Sequence, residues 1–351
     1  MSLEAIVERI RHAGQHRERL RIRGGGSKDF YGEPGGQGEE LSTLALDGIV
    51  SYEPSELVVT VRAGTRLADL EQVLAQSGQC LPFEPPHFCG GATVGGMVAA
   101  GLSGPARASV GPVRDYVLGV TMVNGRGELL TFGGQVMKNV AGYDVSRLMV
   151  GALGTLGLVV EVSLKVLPFA PAEATLKFEM TQAHALDRLN EWGGRPLPLN
   201  ASEWTQGTLH LRLRGAVAAV EAACRTLGGE RVELDWAAHR DHALPWFSGR
   251  ERDLWRVSVP QATPVLELPD SPLVEWHGAQ RWVRASDGEA GRIRQAASRA
   301  GGHATLFAPT DRGATHRFAP LAAPLERIHR ELKREFDPAG IFNAGRLYPG
   351  L

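Results

Sequence analysis

Three glycine-bearing turns lie between apolar runs from Gly90 to Val162. They are Gly90-Gly91-Ala92-Thr93-Val94-Gly95-Gly96, Lys138-Asn139-Val140-Ala141-Gly142-Tyr143-Asp144 and Gly151-Ala152-Leu153-Gly154-Thr155-Leu156-Gly157. A further run, Arg23-Gly24-Gly25-Gly26-Ser27-Lys28, precedes them. Glycine lets backbone N–H groups approach a bulky anion and adopts positive φ without strain. Such turns in succession point to a backbone wrapped around a large phosphate-bearing cofactor. A pyrophosphate needs several donors at close range. Arg23, the amides of Gly24 to Ser27, the Ser27 hydroxyl and Lys28 can supply them. The run matches neither a P-loop nor the dinucleotide fingerprint Gly-x-Gly-x-x-Gly. Pro85 and its neighbouring prolines hold the approach to Gly90 extended. A short helix over 93–100 would then aim its first amides at a phosphate or ribityl group. Plainer readings stand beside these. The triple glycine can be a simple turn, and Gly95, Gly96, Ala99 and Ala100 can serve a close helix-packing contact.

The elements that must position these turns are those of a soluble globular protein with 43 % hydrophobic and 22 % charged residues. A length of 351 residues accommodates two domains. The formal net charge of −1 implies no basic patch and argues against nucleic acid as a partner. Cys80, Cys89 and Cys224 share no Cys-x-x-Cys spacing, so this chain alone offers no iron–sulfur or zinc site. Their sparse, odd number fits a reducing compartment. The first ten residues lack a signal-peptide core. The apolar stretch over 148–162 is interrupted by three glycines and Glu161, too short to span a bilayer. The expected location is cytoplasmic.

Ser2 can cap a helix over 3–12 with Leu3, Ile6, Val7 and Ile10 on one stripe, stopped by Gly14. Strands are expected over 20–23, 49–53 and 57–62, the last two separated by a turn at Pro54. Thr65 can cap a helix that carries Leu67, Leu70, Val73 and Leu74 and ends near Gly78. A hairpin is expected over 117–132 around Asn124-Gly125-Arg126-Gly127, followed by a strand over 156–166. All seven tryptophans lie beyond Pro168-Phe169-Ala170-Pro171, whereas the densest glycine clusters lie before it. That shift sets a domain boundary near residue 170. Strands and helices alternate beyond it in an α+β pattern. A last helix over 325–336 carries Leu325, Ile328, Leu332 and Phe336 on one face and stops at Asp337-Pro338.

The succession Arg23–Ser27, Gly91–Gly96, Lys138–Asp144 and Gly154–Val159 resembles the vanillyl-alcohol-oxidase, or PCMH-type, flavoproteins. Among them it is most similar to the FAD-binding E subunits of bacterial glycolate dehydrogenases. That narrower likeness rests on Lys-Asn-Val-Ala-Gly-Tyr-Asp, on residues 52–57 and on the ending Asp-Pro-Ala-Gly-Ile-Phe-Asn-Ala-Gly-Arg. The resemblance implies an α+β fold: a PCMH-type FAD-binding domain of two lobes over 1–170 and a smaller α+β cap over 171–324. A segment over 325–351 would return to the FAD domain. It implies FAD contacts at Arg23, Gly24, Gly25, Gly26, Ser27 and Lys28, on the pyrophosphate. Gly91, Ala92, Thr93, Val94, Gly95, Gly96, Gly104 and Arg107 would line the flavin side, and Pro85, Gly90 and Ala99 are further expected FAD contacts. Gly154, Gly157 and Val159 would sit near the adenine end or on its strand, with Asn343 on the returning tail. The first glycine loop lacks the histidine that carries covalent flavin in some relatives, so noncovalent FAD is expected.

The same resemblance implies a role in oxidising a small 2-hydroxy acid, glycolate, to glyoxylate. Electrons would pass to a catalytic flavoprotein subunit and an iron–sulfur subunit of one complex, attached peripherally to the inner membrane through those partners. Such an oxidation needs a base for the hydroxyl proton and an arginine for the carboxylate. Candidates are His303, with His277, Arg212, Arg256 and Arg284. Arg212 alternates with Leu209, Leu211 and Leu213, which also reads as a solvent-facing strand position. The metal-linked His-x-Gly-Asp-Gly-Asn-x-His segment of catalytic relatives is reduced here to His303 in Gly301-Gly302-His303-Ala304-Thr305-Leu306, and no metal site is expected. Two other functional classes remain open: a self-sufficient FAD-dependent hydroxy acid or alditol oxidase, and a non-catalytic assembly subunit.

Overall fold

The computed structural model describes residues 1–35, 38–134, 143–249, 251–286, 288–310 and 316–351. It divides into two compact units, one of Met1–Leu102, Pro112–Pro168 and Pro320–Leu351, the other of Ser103–Gly111 and Phe169–Ala319.

In the first unit, Ser2 caps α1 (Leu3–His16) by accepting from the Ala5 amide. The helix runs past Gly14 and ends on left-handed Arg17. Gly14 does not stop it, because it is a packing residue: a Cβ there would lie 3.0 Å from the Gly125 carbonyl. Next come β1 (Leu20–Arg23), β2 (Glu39–Ser42), β3 (Ile49–Glu53), β4 (Val58–Arg62), α2 (Leu67–Gln76), β5 (Gln79–Cys80) and α3 (Val94–Ala100). Arg66, not Thr65, stands at the N-cap position of α2 and makes no side-chain capping bond, and the Thr65 hydroxyl is hydrogen-bonded to Gly48 instead. The short α4 (Arg107–Val110) belongs to the second unit. The first resumes with β6 (Val117–Val123), β7 (Leu129–Gly133), β8 (Leu158–Lys165) and β9 (Leu167–Pro168).

Strands β3-β4-β8-β6-β7 form an antiparallel sheet in that order. The β6–β7 turn is set by Asn124, whose Oδ1 accepts from the Arg126 and Glu128 amides, and by Gly127 at φ +72°. β1 and β2 pair in parallel. Ile6, Ile10 and Ala13 of α1 pack with Leu20, Val123, Leu158, Ile341 and Phe342 in one core.

The second unit contains β10 (Ala172–Glu179), α5 (Gln182–Gly193), β11 (Leu199–Thr205), β12 (Thr208–Gly215), α6 (Val217–Leu227), β13 (Glu230–Val232) and α7 (Trp236–Arg240). It continues with β14 (Asp253–Ser258), β15 (Leu273–Glu275), β16 (Gln280–Ala285), α8 (Ala290–Arg299) and β17 (His303–Ala308). Its eight strands make one antiparallel sheet in the order β13-β10-β12-β11-β15-β16-β14-β17. One face is apolar. Leu209, Leu211 and Leu213 pack there with Leu186, Leu189 and Val220 of α5 and α6, and Trp255 and Val257 pack with Ile293 of α8. The opposite face carries His210, Glu203, Glu275, Gln280, Ser258 and His303 in successive cross-strand register.

The chain closes in the first unit with α9 (Ala323–Phe336) and a tail. Of the expected apolar face of α9, Phe336 is buried as expected, but Leu325 and Ile328 in its N-terminal part are exposed, and Lys333 is buried beside Phe336. Lys333 explains the difference. Its Nζ donates to Asp337 at 2.7 Å, to the Thr155 carbonyl at 2.7 Å and to the Phe342 carbonyl at 2.8 Å. Asp337 in turn accepts from the Ile341 and Phe342 amides. A buried ammonium must be fully partnered, so this network fixes which side of α9 turns inward.

Candidate functional site

β1 delivers the chain directly into the first glycine loop. Among the described residues, the amides of Gly24, Gly25, Gly26 and Ser27 meet no acceptor within the protein. Four consecutive donors without a protein partner, in a half-buried loop, are available to a ligand. A ligand that accepts several hydrogen bonds at once fits them, and a pyrophosphate does so. Arg23 is less available than the sequence suggests. Its guanidinium turns back onto Asp29 at 2.8 Å and Glu40 at 3.6 Å, and Asp29 raises its pKa further. Lys28 donates to the Ser27 hydroxyl and lies over the Phe88 ring.

The second glycine segment lies against the first. A Cβ on Gly25 would fall 1.4 Å from the Gly91 carbonyl oxygen, so the two backbones meet where only glycine fits. Phe30 and Phe88 close the same seam edge to face, with ring centres 5.3 Å apart. The amides of Gly90 and Gly91 also meet no acceptor among the described residues. Three neighbours do not share this freedom. Val94 donates to the Thr65 carbonyl, Gly95 to the Ala63 carbonyl and Gly96 to the Thr93 hydroxyl, which caps α3. A Cβ on Gly95 would meet Ala63 at 2.8 Å, so α3 packs closely on the turn that follows β4. Pro85 and Ala92 are buried beside this segment, and the Ala99 carbonyl accepts from the Leu153 amide.

The third segment is tied to the tail. Gly154, at φ +71°, faces the Asn343 side chain. Asn343 Oδ1 accepts from the Ile22 amide at 2.8 Å, and its Nδ2 donates to the Leu153 carbonyl at 2.7 Å. Both ends of that amide are thereby committed to holding β1 beside residues 153–154. Gly157 packs on Met122 and Val123, and Val159 pairs with Met122 across β8 and β6. Lys138 to Gly142 of the remaining segment lie outside the described residues.

Gly104 and Arg107 belong to the second unit. The Trp276 indole donates to the Gly104 carbonyl at 3.0 Å, and Arg107 stacks 4.4 Å above the same indole. Trp276 and His277 hold consecutive left-handed conformations, at φ +52° and +55°. His277 uses both ring nitrogens, Nδ1 with Ser202 and Nε2 with Ser109, each at 3.0 Å. Burial drives its pKa down to about 4.

His277 therefore holds the fold at this corner. Arg284 does similar work, donating to the carbonyls of Phe247 and Arg252. Arg212 is not solvent-facing. It is 2 % exposed and stacks 4.8 Å from the Trp236 ring. The polar face on which it stands is covered by the segment carrying Trp236, His242 and Phe247, whose rings meet Arg212 and Trp282. Arg256 and His303 stand on that same sheet face. Desolvation at the sheet first, then the charges of Arg256 and Arg107, lower the pKa of the exposed His303 ring, which favours the neutral form able to accept a proton.

The fold and the glycine cradle define an FAD-binding flavoprotein of the PCMH type with α+β architecture. The FAD binding domain family matches residues 1–133. Alkyldihydroxyacetonephosphate synthase shares the fold, with a TM-score of 0.64 at 14 % identity over 97 % of this chain and 74 % of that one. Glycolate oxidase subunit GlcE of Escherichia coli K12 is 46 % identical over 349 residues, covering 99 % of this chain and 98 % of that protein. The chain belongs to the GlcE family. Part of it also resembles glycolate oxidase subunit GlcD of Bacillus subtilis, 32 % identical over 46 % of this chain and 34 % of that one. D-lactate dehydrogenase of Anaerostipes hadrus is 37 % identical over 38 % of this chain and 28 % of its own length.

FAD is the cofactor, held noncovalently, and the chain has the general role of an FAD-dependent 2-hydroxy-acid oxidoreductase subunit. The unpartnered amides of Gly24 to Ser27 fit its pyrophosphate. Among the described residues no helix is long and apolar enough to cross a membrane.

Proposed function

We propose that this chain is the FAD-carrying subunit of a complex that oxidises glycolate to glyoxylate, and that it turns over little substrate without its partners. The observation that carries the reading is likeness along the whole chain to a protein named glycolate oxidase subunit GlcE. FAD, when bound, supplies the hydride acceptor for the substrate α-carbon. Arg256 would engage the carboxylate, and neutral His303 would accept the hydroxyl proton. The cap role of 171–324, the returning role of 325–351 and the flavin-side roles of Gly104 and Arg107 are part of the same reading. So are a catalytic flavoprotein partner, an iron–sulfur partner and a cytoplasmic complex at the inner membrane surface.

A second reading, an assembly subunit without chemistry of its own, is favoured by the commitment of His277, Arg284 and Arg212 to structural contacts. Dye reduction by glycolate separates the two, measured with the chain alone, with its partner subunits, and with a Gly25→Val chain in the complex. The main reading expects little activity alone, restoration in the complex and loss with the FAD-deficient variant. Full activity of the complex carrying that variant would establish the assembly reading. Rapid flavin reduction in the isolated chain would establish a self-sufficient oxidase.

A further inference from the structure

The tail after α9 grips the first glycine loop at both ends. On the β1 side, Asn343 Oδ1 accepts from the Ile22 amide, and the Asn343 amide donates to the Leu20 carbonyl at 3.0 Å. On the far side, the Arg346 guanidinium spreads over three carbonyls. It donates to Asp29 at 2.7 Å, Glu33 at 2.9 Å and, more loosely, Lys28 at 3.4 Å. The Arg346 carbonyl accepts from the Glu33 amide at 2.9 Å. A Cβ on Gly32 would meet that carbonyl at 3.0 Å, so the loop and the tail lie in direct contact. Between these two grips lie the four amides without an acceptor, Gly24 to Ser27.

A glycine-rich loop has more conformational freedom to lose than any other, and a ligand that binds its amides loses less affinity to ordering when the loop is already held. Within the loop the Asp29 amide donates to the Gly26 carbonyl, the Tyr31 amide donates to the Lys28 carbonyl, and Arg23 pairs with Asp29, and the tail adds to these. The fork of Arg346 reaches carbonyls on either side of residue 30, which a lysine ammonium on a single stem cannot reproduce. We propose that Arg346 and Asn343 are positioning residues for FAD, pre-ordering the Gly24–Ser27 amides for the pyrophosphate. The proposal rests on the FAD assignment but not on whether this chain oxidises substrate.

The test is binding to apoprotein, read by flavin fluorescence quenching for FAD and by calorimetry for ADP-ribose, which carries the same pyrophosphate without a flavin. Arg346→Ala is expected to weaken both ligands by the same factor, about tenfold, as the competent loop population falls. Arg346→Lys keeps the charge but loses the fork, and should fall nearly as far. Arg346→Gln keeps two donors without charge, and should retain more affinity than Arg346→Lys. Apoprotein Tm should stay within a few degrees of wild type, which a purely structural role would not allow. Unchanged affinity for both ligands in a folded Arg346→Ala protein overturns the proposal. So does loss for FAD alone, or a ranking in which Arg346→Lys equals wild type, since the charge would then be what matters. If Arg346→Ala does not fold, the Arg346→Lys and Arg346→Gln ranking decides. Failure of the wild type to bind either ligand would instead overturn the FAD assignment.

Discussion

Glu275 is 4 % exposed and sits in cross-strand register with Glu203, itself 2 % exposed. Its carboxyl accepts from Gln280 Nε2 at 2.8 Å and from the Trp282 indole at 2.6 Å. Burial raises its pKa from 4.5 to about 7 despite those two donors, and the Glu203 charge adds to the rise. A carboxyl whose folded pKa lies above its unfolded value holds its proton longer in the native state. Stability therefore falls as pH rises between the two values and levels off above the upper one. Moving from 4.5 to about 7 corresponds to about 3 kcal/mol. Glu275→Gln removes the titration while keeping an acceptor for Trp282. The stability of the variant relative to wild type should rise by about 3 kcal/mol between about pH 4 and pH 8. All seven tryptophans lie within the second unit, so urea unfolding followed by their fluorescence reports the unit that contains Glu275. A difference between variant and wild type that stays constant across that range would refute the reasoning.

Three further outcomes follow from the same geometry. His242, driven down to about 3 by burial and then by Arg256, is neutral when folded, so stability should be lost as pH falls below 6.5. His242→Phe should lose less than wild type between about pH 7 and pH 5, measured by thermal unfolding. Acid precipitation should leave flavin in the supernatant, read by absorbance, and flavin retained on the pellet would contradict noncovalent attachment. Gly25→Val and Gly95→Val should both lose FAD on gel filtration for different reasons. Gly25→Val forces the two glycine loops apart, whereas Gly95→Val also lowers the Tm by pushing α3 off Ala63.

Some elements were legible because their signals are local. The β6–β7 hairpin is written in Asn124 and Gly127, and the α1 and α3 starts in Ser2 and Thr93. The cradle was legible because glycine is costly wherever close approach does not require it, as between Gly25 and Gly91. Less visible was which glycine amides are left without an acceptor in the protein. Gly24 and Gly95 read alike in sequence, yet only Gly95 meets an acceptor, the Ala63 carbonyl just past the end of β4 and more than thirty residues earlier.

Alternation failed at Arg212 for an instructive reason. It correctly assigns Leu209, Leu211 and Leu213 to one side and Arg212 to the other. A period of two says which residues share a face but not what lies over that face. Here Trp236 covers Arg212, and its indole donates to Thr175 on the neighbouring strand. The same limit hid Lys333. Within α9 it reads as one more surface base, and only Thr155, Asp337 and Phe342, arriving from two other segments, make it the residue that orients the helix. These two cations share a logic: each is buried because distant carbonyls, carboxylates or aromatic faces converge on it, and that convergence belongs to topology rather than to any local window. The chemistry proposed for His303 and Arg256 rests on the same kind of fact, the register of β14, β16 and β17 that brings the two residues to one face of the sheet.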